Sequence, residues 1–439
     1  MSLPAYDVFK VAPVEWLGPL PAHWGAAAIK RLVLTPITDG PHETPQFHES
    51  GIPFVSAEAV GTGKINFEKI RGYISSEDHL RYSRKYFPKK NDIFLVKSGA
   101  TTGVSAIVEV DTEFNIWSPL AVVRCDSEKI IPHFMLYALR SRNFLDGIAL
   151  NWSYGTQQNI GMGVLERLHV PLPPKSEQEK IVAFLNGSVS KVDSLIEKKT
   201  RFIALLKEKR AAVITHAVTK GIDPDAPIKD SGVDWLGRVP AHWEVLRIAA
   251  LFREVSRPAD PALPVLSVSI HDGVTDGELA DEDRDRKVAL SEDRTKYQGV
   301  APGDLVYNMM RAWQGAFGAV TVKGLVSPAY VVAAPVTTFR TKFIEHLLHT
   351  KSAAEEIRRF SRGIADFRMR LYWDHFRALK VCLPPLEEQD RILSEIDTES
   401  ARIDGLIALT ERSIDLLREK RAALITAAVT GKIDVRAAA

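Results

Sequence analysis

The sequence predicts an α+β protein. Two mixed α/β domains are separated by two long helices that form an antiparallel coiled coil, the whole arranged as a pseudo-twofold internal repeat. Three observations lead there. A short motif and a longer segment each occur twice, in the same order. The longer segment carries an apolar stripe at coiled-coil spacing. The stretches between the repeats differ in sequence, yet place strand-like and helical runs in the same order.

The short motif is Val14-Glu15-Trp16-Leu17-Gly18-Pro19-Leu20-Pro21-Ala22-His23-Trp24. It returns as Val233-Asp234-Trp235-Leu236-Gly237-Arg238-Val239-Pro240-Ala241-His242-Trp243, with eight of eleven positions identical. The longer segment, Val170 to Asp223, aligns without a gap on Val381 to Asp434. The shared positions include Glu177-Gln178 with Glu388-Gln389, and Glu208-Lys209-Arg210-Ala211-Ala212 with Glu419-Lys420-Arg421-Ala422-Ala423. Between them, residues 25–169 and 244–380 share only scraps, among them Asp92 against Asp304. The constant parts therefore do one job twice, and the variable parts do a similar job with different detail.

In the first constant block Leu185, Val189, Val192, Ile196, Ile203, Leu206 and Val213 recur with 4,3 spacing. The second gives Ile396, Ile403, Ile407, Ile414, Leu417 and Leu424, with Ser400 as a polar exception. Spacing near 3.5 marks a helix that packs along a narrow seam. Pro173-Pro174 and Pro384-Pro385 precede the helices, and Gly221 and Gly431 lie near their expected ends. Each helix should run for about 40 residues, or about 60 Å. The two stripes share a register, so the natural partner of each helix is the other. Two equivalent halves on one seam are most simply related by a twofold axis, which makes the helices antiparallel and the pair a spacer.

In the first variable block Ile93–Val96, Ser105–Val108 and Leu120–Val123 read as strands, followed by a helix from Phe134 to Leu145. In the second the strands are Leu305–Tyr307, Gly318–Val322 and Tyr330–Val332, and the helix runs from Phe343 to Phe360. Two loops per block are equipped to meet base edges or phosphates. Lys97, Ser98, Thr101 and Thr102 lie on one loop of the first block, and Tyr154, Gln157, Gln158 and Asn159 on the other. The matching loops of the second block hold Asn308, Arg311, Trp313 and Gln314, then Arg362, Asp366, Arg368 and Arg370. Asn and Gln bond adenine bidentately, Arg suits guanine, and Ser, Thr and Lys reach either bases or phosphates. Any one of these loops alone would read as an ordinary polar turn. Polar, unlike loops at matching places in both blocks point to recognition of two different things.

Bulk composition sets limits around this reading. A chain of 439 residues suits two to four domains. The net charge of +2 neither demands nor excludes nucleic acid. Basic clusters exist, such as Arg81, Arg84, Lys85, Lys89 and Lys90, or Arg358, Arg359, Arg362, Arg368 and Arg370, and each alone reads as a solvated surface. Two cysteines, Cys125 and Cys382, rule out a disulfide framework and fit a reducing compartment. The N-terminus lacks signal-peptide character and no apolar run reaches the roughly 18 residues of a membrane span, so a cytoplasmic chain with no membrane partner is expected.

Catalytic motifs are missing. Gly61-Thr62-Gly63-Lys64 lacks the frame of a phosphate loop, and neither an Asn/Asp-Pro-Pro-Tyr/Phe tetrapeptide nor a His-Glu-x-x-His zinc pattern occurs. His23 and His242, repeated in one motif, read as two copies of a structural corner. The acidic run Asp281–Asp285 reads as a solvated loop. No catalytic residue, metal site or cofactor is expected.

These residues carry a resemblance to the specificity subunits of type I restriction–modification systems. It rests on the duplicated Trp-Leu-Gly…Pro-Ala-His-Trp motif, the Leu-Pro-Pro-x-x-Glu-Gln helix start and the Glu-Lys-Arg-Ala-Ala helix end, and covers essentially the whole chain. The resemblance implies target recognition domains at 1–172 and 233–383, helical spacers at 173–219 and 384–432, and a linker at 220–232. It implies that each domain reads one half of a bipartite, asymmetric target in double-stranded DNA, with helix length setting the gap. It further implies two modification subunits that bind S-adenosylmethionine and methylate adenine, and motor–nuclease restriction subunits. Three other readings compete: the specificity subunit of a related system without a motor, a coiled-coil adaptor that binds proteins, and an enzyme whose motifs have drifted.

Overall fold

The structure, a computed structural model, describes residues 4–61, 63–151, 158–270, 273–277, 293–363 and 369–436. Tyr154, Gln157, Asp366, Arg368 and the Asp281–Asp285 run lie outside the described residues. The chain divides into two units: Met1–Thr200 with Glu411–Ala439, and Arg201–Thr410.

In the first unit the central strands are β1 (Ile93–Val96), β2 (Ser105–Ile107) and β3 (Leu120–Val123). β3 and β2 flank β1, both antiparallel to it, in a five-stranded sheet edged by Thr38–Asp39 and Gly63–Lys64. These strands read as unbroken apolar runs because both faces are covered. Alternate side chains go to different cores: Ile93, Leu95, Ala121 and Val123 to one, Phe94, Val96, Leu120 and Val122 to the other. The second unit repeats the order with β4 (Leu305–Asn308), β5 (Phe317–Ala319) and β6 (Tyr330–Pro335), β4 lying between the others. Here Leu305 and Tyr307 face one core and Val306 the other.

The single helix expected after the third strand is two helices in each unit. They are α1 (Pro132–Leu139) and α2 (Arg142–Asn151) in the first, and α4 (Thr341–Leu348) and α5 (Lys351–Phe360) in the second, where α3 names the long helix Lys175–Lys220 between them. Short polar residues explain the break. Ser141 Oγ accepts the Phe144 N–H at 3.3 Å, and Thr350 Oγ1 accepts the Ala353 N–H at 3.3 Å, so each starts a new helix. The strand expected at Gly318–Val322 is Phe317–Ala319.

α3 has 46 residues and α6 (Leu386–Val429) has 44, about 65–70 Å each. Within the first unit the start of α3 meets the end of α6, since Ile181, Leu185 and Val189 share a core with Ile425, Ala428 and Val429. Within the second unit the end of α3 (Ala217, Val218) shares a core with the start of α6 (Ile392, Ile396). The helices are therefore antiparallel. A reciprocal ion pair stands in each unit: Arg421 with Asp193 in the first, Arg210 with Asp404 at 2.6 Å in the second. Gly221 and Gly431 end the helices with φ of +77° and +69°, a conformation that glycine adopts without strain.

The duplicated motifs meet at the start of each long helix. Glu177 is buried and accepts hydrogen bonds from Tyr6 Oη (2.8 Å), His23 Nε2 (2.7 Å) and Trp24 Nε1 (3.0 Å). Burial pushes its carboxyl up, but these three bonds outweigh burial and hold it below the ordinary carboxylate value. Gln178 reaches the other way: its Oε1 accepts the N–H of Ile131, the residue before α1, at 2.8 Å. In the second unit Glu388 accepts from His242 Nε2 (2.6 Å) and Trp243 Nε1 (3.1 Å), and Gln389 accepts the N–H of Arg340, before α4, at 2.7 Å. The Glu-Gln pair thus fastens each variable domain to its own long helix. His23 and His242 are parts of this structural corner, as expected.

Candidate nucleic-acid interface

In both units the chain leaves the central strand (β1 or β4) into a polar loop, and the segment after the helix pair returns to that loop. Backbone bonds fix the return at equivalent places. Ile160 N–H donates to Lys97 O at 2.8 Å in the first unit, and Leu371 N–H donates to Met309 O at 2.9 Å in the second. The two loops chosen in each variable block are therefore neighbours, although 50 to 60 residues separate them in the chain.

In the first unit Ser98 pairs with Asn159 in an antiparallel bridge, and Gly99 N–H donates to Gln158 O at 3.1 Å. Gly99 and Gly103, at φ of +100° and +92°, let the chain turn within a few residues. Thr102 Oγ1 donates to Gly99 O at 2.7 Å, so its hydroxyl proton is spent inside the loop. Thr101, Gln158 and Asn159 are exposed on the rim. Lys97 faces inward: its ammonium lies 2.9 Å from buried Asp39, which also takes Lys85 at 2.5 Å. Burial pushes the Asp39 carboxyl up, and the bonds from Lys85 and Lys97 more than reverse that. The cation of this loop thus shares, with Lys85, a carboxylate 58 residues upstream, which no local pattern could announce.

In the second unit Asn308 Oδ1 accepts Met310 N–H at 3.0 Å, a side-chain turn that starts the loop. Arg311 Nε donates to Gln314 Oε1 at 3.2 Å on the surface. Trp313 is half-buried against the core of the unit, with its indole Nε1 enclosed and without a hydrogen-bond partner among the described residues. Arg358 of α5 lies over its ring, 5.4 Å from the centroid. Arg362 and Arg370 are exposed and paired through two backbone bonds of 2.9 Å. The sequence places Arg358 only in a basic cluster, because its link to Trp313 spans 45 residues.

The other basic cluster is largely spoken for: Arg81 pairs with Asp78 and Glu43, Lys85 with Asp39, and Lys90 with Asp111. Among the described residues no group of three or more His, Cys, Asp or Glu side chains is arranged to hold a metal ion, and no helix is long and apolar enough to cross a membrane.

Comparison with known proteins gives a consistent result. Residues 43–204 match the family described as the type I restriction modification DNA specificity domain. The chain is 24% identical over 448 residues to a putative type I restriction enzyme MjaX specificity subunit of Methanocaldococcus jannaschii, covering 96% of each chain. It is 23% identical over 200 residues to the type I restriction enzyme EcoBI specificity subunit of Escherichia coli, covering 45% of this chain and 42% of that one. Among solved structures, one from work on complex assembly and conformational transition of the type I R-M system shares the fold. Its TM-score is 0.63 at 14% identity, over 94% of this chain and 99% of that one.

Proposed function

The chain belongs to the type I restriction–modification specificity family, and from that premise we propose that it reads DNA sequence on behalf of a restriction–modification complex. Its part is recognition and not catalysis. Two target recognition domains, 1–172 and 233–383, each read one half of a bipartite, asymmetric site in double-stranded DNA. The helical spacers 173–219 and 384–432 set the gap between the halves, with 220–232 as a linker. Two modification subunits supply S-adenosylmethionine chemistry and methylate adenine, and motor–nuclease subunits cleave unmodified sites. The chain itself needs no cofactor and works in the cytoplasm.

The observation that carries this reading is the repeated rim. The same strand, loop and returning segment occur in both units, tied by one equivalent backbone bond in each and carrying unlike side chains. A scaffold used twice with different polar groups fits a reader of two different half-sites. Thr101, Gln158 and Asn159 are the readers in one domain, and Arg311, Gln314, Arg362 and Arg370 in the other.

Methylation profiling of host DNA, with this gene beside its modification gene and with this gene deleted, tests the reading. The expected result is loss of methyl-adenine at one split motif. An unchanged profile in an active system would place the protein-adaptor reading first. The chain alone should not bind S-adenosylmethionine.

A further inference from the structure

An arginine stands without an anion where the first domain meets the long helices. Half-buried Arg140 follows the last residue of α1, and its guanidinium lies over the Tyr137 ring, 5.8 Å from the centroid. Tyr137 is itself held, its Oη donating to Asn186 Oδ1 of α3 at 2.8 Å. Beside the guanidinium runs the edge strand Gly63–Lys64, where a Cβ on Gly63 would lie 2.7 Å from Arg140 Nη1. Glycine leaves that space open, and its φ of +97° carries no strain there. The charges around Arg140 are matched: Arg421 pairs with Asp193, Arg142 with Asp146 at 2.9 Å, and Lys64 with Glu109 at 3.5 Å. Among the described residues the Arg140 guanidinium has neither an ion-pair partner nor a hydrogen-bond acceptor. Burial, and after it the charge of Arg421, pull its pKa below the ordinary arginine value. Arg140, Arg421 and Asp193 together carry one positive charge in excess. A charge partly stripped of water and left without a counter-ion opposes folding, and an anion that arrives from outside relieves it.

We propose that Arg140 is a DNA-phosphate contact of the first recognition domain; the proposal rests on the DNA-reading function argued above. Its place fits the duplex backbone. Gly63 pairs with Ala106 of β2, two residues beyond Val104, whose carbonyl closes the rim loop by accepting the Val96 N–H at 2.8 Å. Two strand residues span about 7 Å. Arg140 therefore lies beside the loops and not on them, and contacts from flanking elements fix register on the duplex. The rim groups Thr101, Gln158 and Asn159 are uncharged, which leaves attraction of the backbone to a neighbour. In the second unit the equivalent residue after α4 is His349, whose Nε2 donates to Phe317 O at 3.1 Å. The unmatched cation thus belongs to the domain with the neutral rim. A protein that docked on both copies of the repeated helices would call for it in both units.

The test measures dissociation constants of the full complex with its modification subunits, against salt concentration, on the target found by profiling and on unrelated DNA. Arg140→Met should weaken both by the same factor, roughly tenfold, and lower the salt slope by about one. Arg140→Lys should keep the slope, because the charge stays. The melting temperature of Arg140→Met should equal or exceed that of the wild type, since an unmatched half-buried charge is gone. A lower melting temperature with an unchanged salt slope would make Arg140 a structural residue and overturn the proposal. Affinity for the modification subunits, measured without DNA, should be the same for wild type and Arg140→Met. A loss there with the salt slope unchanged would give the site to a partner's carboxylate and overturn the proposal. Relaxed discrimination at one base position would make Arg140 a base reader, with the same consequence. Unaltered DNA binding by Arg140→Met would also overturn it, while leaving the DNA-reading function intact. Absence of sequence-dependent binding by the wild-type complex would instead remove that function and the proposal with it.

Discussion

The two loop rims share a backbone and differ in charge. In the first unit the loop cation Lys97 faces inward and shares the Asp39 carboxylate with Lys85, and the exposed groups are a hydroxyl and two amides. In the second, Arg311, Arg358, Arg362 and Arg370 crowd the same region. A neutral rim relies on directional hydrogen bonds to bases, whereas a cationic rim adds counterion release from the backbone. The framework shows the same economy. Asp92 and Asp304 occupy equivalent places before the central strand, and each caps its own turn by accepting the N–H of Lys89 or Ala301 at 2.8 Å. Yet Asp92 is paired with Arg124 from the end of β3, and Asp304 with Arg257 from far upstream of β4. The carboxylate is kept and its partner is exchanged, so the fold tolerates rewiring around a fixed point.

The comparison is open to attack, and the largest effect should come at the two helix-start clamps. Glu177→Ala strands three donors and Glu388→Ala two, so the losses of stability should be about 3 and about 2 kcal/mol, read from denaturant unfolding of the two variants. Equal losses would mean that Tyr6 adds nothing. The Glu177 carboxyl is held below its ordinary value of 4.5 in the folded chain. Its contribution is therefore full above about pH 4.5 and is lost as the pH falls through the lowered folded value. Acid titration of wild type against Glu177→Gln should show the difference between them shrinking over that range.

Next come the residues proposed as readers. Gln158→Ala or Asn159→Ala should cost about 1–3 kcal/mol of base discrimination in one half-site and none in the other, with Arg311→Ala doing the reverse. Binding to substituted targets decides this, and loss in both half-sites at once would break the assignment of one rim to one half. Asp39→Asn should give the neutral rim a cation: Lys97 becomes an unmatched charge, and the salt slope should steepen by up to about one. An unchanged slope would place Lys97 away from DNA. The smallest effect is expected on the helices. Arg421→Ala and Arg210→Ala should each cost less than about 1 kcal/mol, and Arg421→Ala the more, since its side chain is 17% exposed against 40%.

Much of this was legible because repeats and periodicity are local properties of a chain. The duplicated Glu-Gln pair and Trp motif marked places that do one job twice, and the 4,3 stripe marked the seam. The breaks at Ser141 and Thr350 were written in the sequence as short polar residues ahead of a helical run, but the apolar periodicity on either side masked them. What the sequence could not disclose was which distant residues meet. Asp39 under Lys97 and Trp313 under Arg358 are products of tertiary packing, and no spacing rule connects them.

The Glu-Gln pair has a consequence for how such a protein changes its specificity. Because its two side chains grip both the opening motif and the first domain helix, it acts as a standard socket, and the same socket occurs twice. A foreign recognition domain that carries the matching Trp and a free backbone N–H before its helix can plug into either long helix without altering it. New targets can then arise by exchanging whole inserts, while the surface that holds them stays as it is.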